Sequence, residues 1–147
     1  MGCGVYSFTG SSLPSHIKTV AVALFANETP EYALRTLMTQ GVSDGLIADN
    51  TLKVVAESRA DAVVRGTIKS YSRSPYSYDE NREVTEYSVT VVVEVVFYDV
   101  ANDRALWDDV IEAIGVYDAD VELAEDGQRR AAGLLAQDIV ERTTKGW

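Results

Sequence analysis

Chemistry in a protein this short depends on a few side-chain types, and here most of them are scarce. Among 147 residues there is one cysteine, Cys3, and one histidine, His16. A lone cysteine can form neither an intrachain disulfide nor a cysteine-based zinc site. His16 follows Pro14-Ser15 with no second imidazole or thiol beside it, and no Gly-x-Ser-x-Gly elbow offers it a nucleophile to activate. A small hydrolase would have to use His16 as its only evident base. The acidic pairs Asp108-Asp109, Asp118/Asp120 and Glu125-Asp126 lack the spacing of a calcium loop and read as turns and solvated helix ends. No glycine loop for phosphate is present. The residues predict no catalytic constellation, no metal site and no cofactor.

One cluster stands out against an acidic background. Arg65, Thr67, Lys69, Tyr71 and Arg73 alternate along a predicted strand, so period two puts them on one face, with Ala62, Val64, Gly66 and Ile68 on the other. Successive cations lie about 13 Å apart at ~3.3 Å per residue, a spacing that suits a multiply anionic ligand. Tyr71 adds an apolar body with a polar tip. The competing explanation is cross-strand pairing with Glu86 and Glu94, which is common and weakly stabilising. Thirteen Lys and Arg against 23 Asp and Glu give a net charge of −10, which argues against nucleic acid as a partner.

Cys3 carries the second chemical signal. It lies in Met1-Gly2-Cys3-Gly4, ahead of a small polar stretch from Ser7 to Ser15. Gly before Cys, with a flexible tether behind, matches a processed bacterial lipoprotein whose cysteine sulfur carries a diacylglycerol. The apolar signal segment is missing, so the sequence reads as a mature form with Met1 added. Myristoylation, the other lipid reading for Met-Gly, wants Ser or Thr at the sixth position, where Tyr6 stands. Acyl chains would hold the domain on a membrane at ~0.8 kcal/mol per buried methylene, without a spanning helix.

The elements that must position these groups follow from hydrophobic period. Residues 17–25 read as a mostly buried strand. Thr29 is the expected N-cap of a helix with Pro30 at its first position; Leu34, Leu37, Met38, Val42 and Leu46 form its stripe, and it ends near Asp49-Asn50. Gly41 and Gly45 share one face of that helix and predict a close approach to a sheet or partner there. Leu52 to Val55 forms a short strand, and a third runs from about Asp61 to Arg73. From Tyr87 to Phe97 every odd position is apolar, the mark of a long antiparallel strand with one buried face. Val92, Val96 and Tyr98 sit on its even face, exposed unless a partner covers them. Ser74 to Arg82, with Tyr76 and Tyr78, reads as a polar, aromatic hairpin tip. A last strand spans Leu106 to Val116, and a C-terminal helix carries Val121, Ala124, Gln128, Ala131, Ala132, Leu135 and Ile139, capped by Asp118 or Asp120. The predicted class is α+β: two helices packed on one face of a four- or five-stranded, largely antiparallel sheet. Residues 1–16 form the tether and 17–147 a single domain.

With the segments placed, the chain resembles the LptE family. The likeness begins at Cys3-Gly4-Val5-Tyr6 and continues through Ile17-Lys18-Thr19-Val20-Ala21-Val22, Asn27-Glu28-Thr29 and Asp49-Asn50-Thr51-Leu52. It is strongest at Ala60-Asp61-Ala62-Val63-Val64-Arg65-Gly66-Thr67-Ile68, Pro75-Tyr76-Ser77-Tyr78, and Tyr98-Asp99-Val100 leading to Leu106-Trp107. The resemblance implies a lipoprotein of the outer membrane, facing the periplasm, with its lipid on Cys3. It implies no catalysis. Family members plug the lumen of the LptD β-barrel, assist its assembly, support lipopolysaccharide delivery to the cell surface and bind lipopolysaccharide directly. Their fold looks like two helices on a four-stranded sheet. On that basis Tyr76, Tyr78, Val92, Val96 and Tyr98 are expected to meet the barrel, and Arg65, Lys69, Arg73 and Tyr71, assigned from strand geometry alone, to meet lipopolysaccharide phosphates. A chain with a net charge of −10 needs a local positive patch or bridging divalent cations for that. The alternative is a periplasm-facing lipoprotein of similar fold that recruits a different envelope partner.

Overall fold

The computed structural model describes residues 13–145. Its elements in chain order are β1 (Thr19–Val22), β2 (Ala26–Asn27), α1 (Ala33–Asp49), β3 (Lys53–Val54), a 3-10 turn (Glu57–Arg59), β4 (Ala62–Tyr78), β5 (Val84–Asp99), β6 (Arg104–Asp118) and α2 (Ala124–Thr144). The sheet runs β3-β1-β4-β5-β6, with the two-residue β2 added to β4. It is mixed rather than largely antiparallel, and it has six strands rather than four or five. β1 pairs parallel with both β3 and β4, and β2 is parallel to β4, while β4-β5 and β5-β6 are antiparallel. The helical crossover α1 supplies the length that parallel neighbours need.

Period two decides the buried side of the sheet. Val89, Val91, Val93, Val95 and Phe97 are all fully buried, as the alternation predicts. Leu34, Met38, Val42 and Leu46, four residues apart on α1, are equally buried, and Ala131, Leu135 and Ile139 do the same for α2. Each large side chain among them contributes roughly 1.5–3 kcal/mol through removal from water. Both helices therefore cover one face of the sheet, side by side. A Cβ on Gly41 would come within 3.3 Å of Ala136 Cβ, and one on Gly45 within 2.8 Å of Val140 Cγ2, so the close approach on the glycine face is to α2 rather than to the sheet or a partner.

The segment read as one strand over 17–25 breaks after Val22. The Phe25 ring turns into the core and lies where a Cβ of Gly66 would stand, 2.1 Å from Cε2. α1 starts later than its sequence suggests. Asn27 Oδ1 accepts from the N–H and the hydroxyl of Thr29, whose Oγ1 accepts the Glu31 N–H, so Thr29 and Pro30 form a turn and helical bonds begin at Ala33. At the other end Asn50, at φ 60°, donates its N–H to the Leu46 carbonyl and stops the helix. α2 is capped by neither Asp118 nor Asp120. Asp126 Oδ2 takes the Leu123 N–H instead, while Asp118 Oδ1 holds the N–H groups of Asp120 and Val121 in the preceding turn.

Candidate functional site

The second face of the sheet is the candidate site, because among the described residues no helix covers it. Its inner margin is closed by residues 55–60, which cross from β3 to β4 beneath β1. There Ala21, Ala60 and Val63 form a small buried cluster with Ala23 and Val55. From β4 to β6 the face is open. Pairing registers place Arg65 beside Val96, Thr67 beside Glu94, Ser70 beside Val92 and Ser72 beside Thr90. On β6 the same face carries Asp108, Val110, Glu112, Ile114 and Val116, opposite Val96, Glu94, Val92, Thr90 and Ser88. Val92, Val96 and Tyr98 lie on this face as the alternation predicts, but they are half-buried rather than exposed; Val110 and Ile114 are more exposed, at 65% and 47%. These two were missed. Their signal lies in β6 itself, where both parities carry apolar residues, Ile111, Ala113 and Gly115 inward and Val110, Ile114 and Val116 outward.

The basic stripe is not one stripe. Ile68 pairs with Val93 but Ser70 with Val92, so Lys69 is an extra residue in β4 and the strand changes parity there. Arg65 and Thr67 stay on the open face. Tyr71 and Arg73 turn to the helix face: Gln128 donates to Tyr71 Oη at 3.3 Å, and Arg73 donates to Tyr117 Oη at 3.2 Å. The Arg73 guanidinium also lies 4.3 Å from the Tyr87 ring centroid, within a stack in which Tyr87 and Tyr117 centroids are 5.8 Å apart. Burial pushes the Tyr117 hydroxyl pKa up, against the pull of Arg73. Lys69 leans to β2's side and pairs with Glu28 at 3.2 Å. On the open face Arg65 sits 4.9 Å over the Tyr98 ring, with Glu57 3.9 Å away. Glu86, a cross-strand partner of the stripe under the competing explanation, accepts from the Ser77 hydroxyl instead.

The hairpin is longer than expected. Ser74 to Tyr78 belong to β4, and the turn is confined to residues 79–83, where Asp79 Oδ1 accepts the N–H groups of Asn81 and Glu83. Tyr76 and Tyr78 project near the tip, 57% and 59% exposed. At the opposite end the chain enters β1 under two carboxylates. Asp61 accepts the N–H groups of Lys18 and Thr19 at 2.9 and 3.0 Å, and these bonds hold its pKa below the usual carboxylate range. Asp99 is fully buried. Burial opposes its charge, but bonds from Asn102 and His16, the latter at 2.9 Å, more than offset that and depress its pKa. His16 is thus a fastener of the chain entry. Among the described residues no three His, Cys, Asp or Glu side chains converge as metal ligands would, and no helix is long and apolar enough to cross a membrane. Cys3 lies outside the described residues.

Fold and open face together define a two-layer α+β domain with a one-sided sheet, and several bacterial proteins of known structure, lipoproteins among them, share the fold. A minor lipoprotein of Acinetobacter baumannii superposes with a TM-score of 0.55 at 16% identity, covering 86% of this chain and 90% of that one. A lipoprotein of Neisseria meningitidis gives 0.52 at 14% identity, over 85% and 96% of the two chains. PelC of Paraburkholderia phytofirmans, a dodecamer, gives 0.54 at 20% identity, over 91% and 92%. No curated protein sequence matches the chain. Residues 17–143 match the family LptE, lipopolysaccharide-assembly, and the chain belongs to it.

Proposed function

We propose that this protein is an outer-membrane lipoprotein, lipidated on Cys3 and facing the periplasm, that docks in the lumen of the LptD β-barrel and supports lipopolysaccharide transport. Family membership supplies the general role. The observation that carries the docking is the one-sided sheet: among the described residues α1 and α2 share one face, while Val92, Val96 and Tyr98 of β5 and Val110 and Ile114 of β6 lie on the other. Isolated exposed apolar residues need no explanation, but here Val92, Val96, Val110 and Ile114 occupy diagonal positions of one rigid two-strand surface, interleaved with Glu94, Asp108 and Glu112, a pattern suited to a contact that is part apolar and part polar. Tyr76 and Tyr78 extend that contact along the hairpin.

Direct lipopolysaccharide contact falls to Arg65 and Lys69, through charge-assisted hydrogen bonds to phosphate. Arg73 and Tyr71 are engaged with Tyr117 and Gln128 on the helix side and would contribute by holding the hairpin straight. Glu94, Asp108 and Glu112 make the open face more negative than positive, which favours a protein as its main occupant. The test pairs two variants of the lipidated protein co-expressed with LptD. Ile114→Glu with Val110→Glu should lose barrel co-purification, and Arg65→Glu with Lys69→Glu should lower lipopolysaccharide retention, each with a nearly unchanged melting temperature. Retained co-purification by the first pair refutes docking through this face. An equal loss of thermal stability in the second pair assigns those cations to sheet ion pairs.

A further inference from the structure

Among the described residues β6 ends the sheet, and its outer edge has a free ladder. The Ala119 N–H bonds to the Thr85 carbonyl, so 85 and 119 form a hydrogen-bonded pair. Bonded and non-bonded pairs alternate in an antiparallel ladder. With the register 87–117 through 96–108 continuous, the odd residues of β6 turn their backbone groups to β5 and the even residues turn theirs outward. Two contacts agree. Arg130 Nη1 reaches the Val116 carbonyl at 2.7 Å, and the Asp118 N–H reaches Glu122 Oε1 at 2.9 Å, both from outside the sheet. These caps close the top of the edge. Below them Asp108, Val110, Glu112 and Ile114 each present an N–H and a C=O with no partner among the described residues, a run of about 20 Å at ~3.4 Å per residue.

Natural edges are blunted by proline, lysine, bulges or a covering loop. Residues 108–116 contain neither Pro nor Lys, the one register shift in β5-β6 falls before them, at Phe97/Tyr98, and no described segment covers them, so charge is the only such device here. What the edge does carry is negative charge. Asp108 and Glu112 alternate with Val110 and Ile114 on the open face, and neither carboxylate has an ion-pair partner among the described residues. A directly opposite cross-strand residue lies within reach of each side chain.

We propose that β6 takes an added strand from a protein partner, an extended segment whose same-face residues alternate apolar and basic. Running antiparallel, it would set apolar side chains against Ile114 and Val110 and cations against Glu112 and Asp108. A second copy of this chain is disfavoured by its net charge of −10. The inference is separate from barrel docking, because the wall of a closed barrel offers no unpaired strand.

The probe is a synthetic peptide, Thr-Val-Thr-Lys-Thr-Val-Thr-Lys-Thr, added to the full chain. Amide hydrogen exchange should slow at Val110, Glu112 and Ile114 and stay unchanged at Ile111 and Ala113. Val110→Pro removes one outward donor and none of the β5-β6 bonds, so it should abolish binding while the protein stays folded. Glu112→Lys should weaken the peptide by about tenfold and improve binding of the same peptide carrying Glu for Lys. Unchanged exchange at the even residues, or undiminished binding by folded Val110→Pro, overturns the proposal. If Val110→Pro does not fold, undiminished binding by Glu112→Lys does so. Concentration-dependent dimerisation protecting the same amides without peptide would replace the basic strand by a second copy.

Discussion

Gly115→Ala is the sharpest single perturbation the structure offers, because its cost comes from two backbones meeting. A Cβ at 115 would stand 1.9 Å from the Gly127 carbonyl oxygen and 2.9 Å from the Ala131 nitrogen. Neither atom belongs to a side chain that can swing away, so the first turns of α2 would have to lift off β6 by more than an ångström. That lift would loosen Tyr117 and Ala131, both buried under the same turns. Overpacking of a well-packed site costs typically 1–3 kcal/mol, and a rigid backbone clash belongs at about 3 kcal/mol. For a chain of this size that is a drop in Tm of roughly 10 °C. Gly133 is the internal control: it also lies in α2, yet a Cβ there meets nothing within 4 Å. Gly133→Ala should stabilise by about 0.5–1 kcal/mol through helix propensity alone. Circular-dichroism melts and urea titrations of the two variants read the difference directly. If Gly115→Ala melts within a degree of the parent, α2 does not rest on the β6 backbone and the packing account fails.

Two further expectations concern protons. Asp99 has a folded pKa below its unfolded value, so its contribution is complete above the ordinary carboxylate range and is lost as pH falls through the folded pKa. Urea titrations at pH 5 and pH 3 should therefore show acid destabilisation of the parent, and Asp99→Asn should flatten that dependence. Glu122 pairs with Arg130 across the turn into α2, and the Arg130 hydrogen bond, helped by the Asp118 N–H, lowers its pKa to about 2. Carboxyl NMR titration should find that midpoint and return it towards the ordinary range in Arg130→Ala.

Much of this architecture is written in periodicities. The odd positions of β5 and the four-residue rhythm of Leu34, Met38, Val42 and Leu46 name their buried faces without ambiguity, since each pattern is repeated enough to outvote any one residue. What escapes is decided by single residues. One extra residue at Lys69 inverts the parity of β4, and nothing in Ile68-Lys69-Ser70 announces it; with it, half of the basic stripe crosses to the helix side. The Asn27-Thr29 turn delays α1 because side-chain oxygens compete with the helix for the same N–H groups. The parallel pairing of β1 depends on where two crossovers land, which is tertiary information. Val110 and Ile114 were readable in principle, but β6 alone does not say which of its two apolar faces the helices choose.

β1 and β4 run parallel and start together, near Asp61, whereas β4 continues for 17 residues before the chain turns back. At ~3.3 Å per residue the entry point and the Tyr76–Tyr78 tip are about 50 Å apart, well beyond the ~30 Å of a bilayer's hydrocarbon. The molecule is in effect a spacer. A single partner that engages both the chain entry at Ile17 and the aromatic tip at Tyr76–Tyr78 must therefore extend along the whole length of β4.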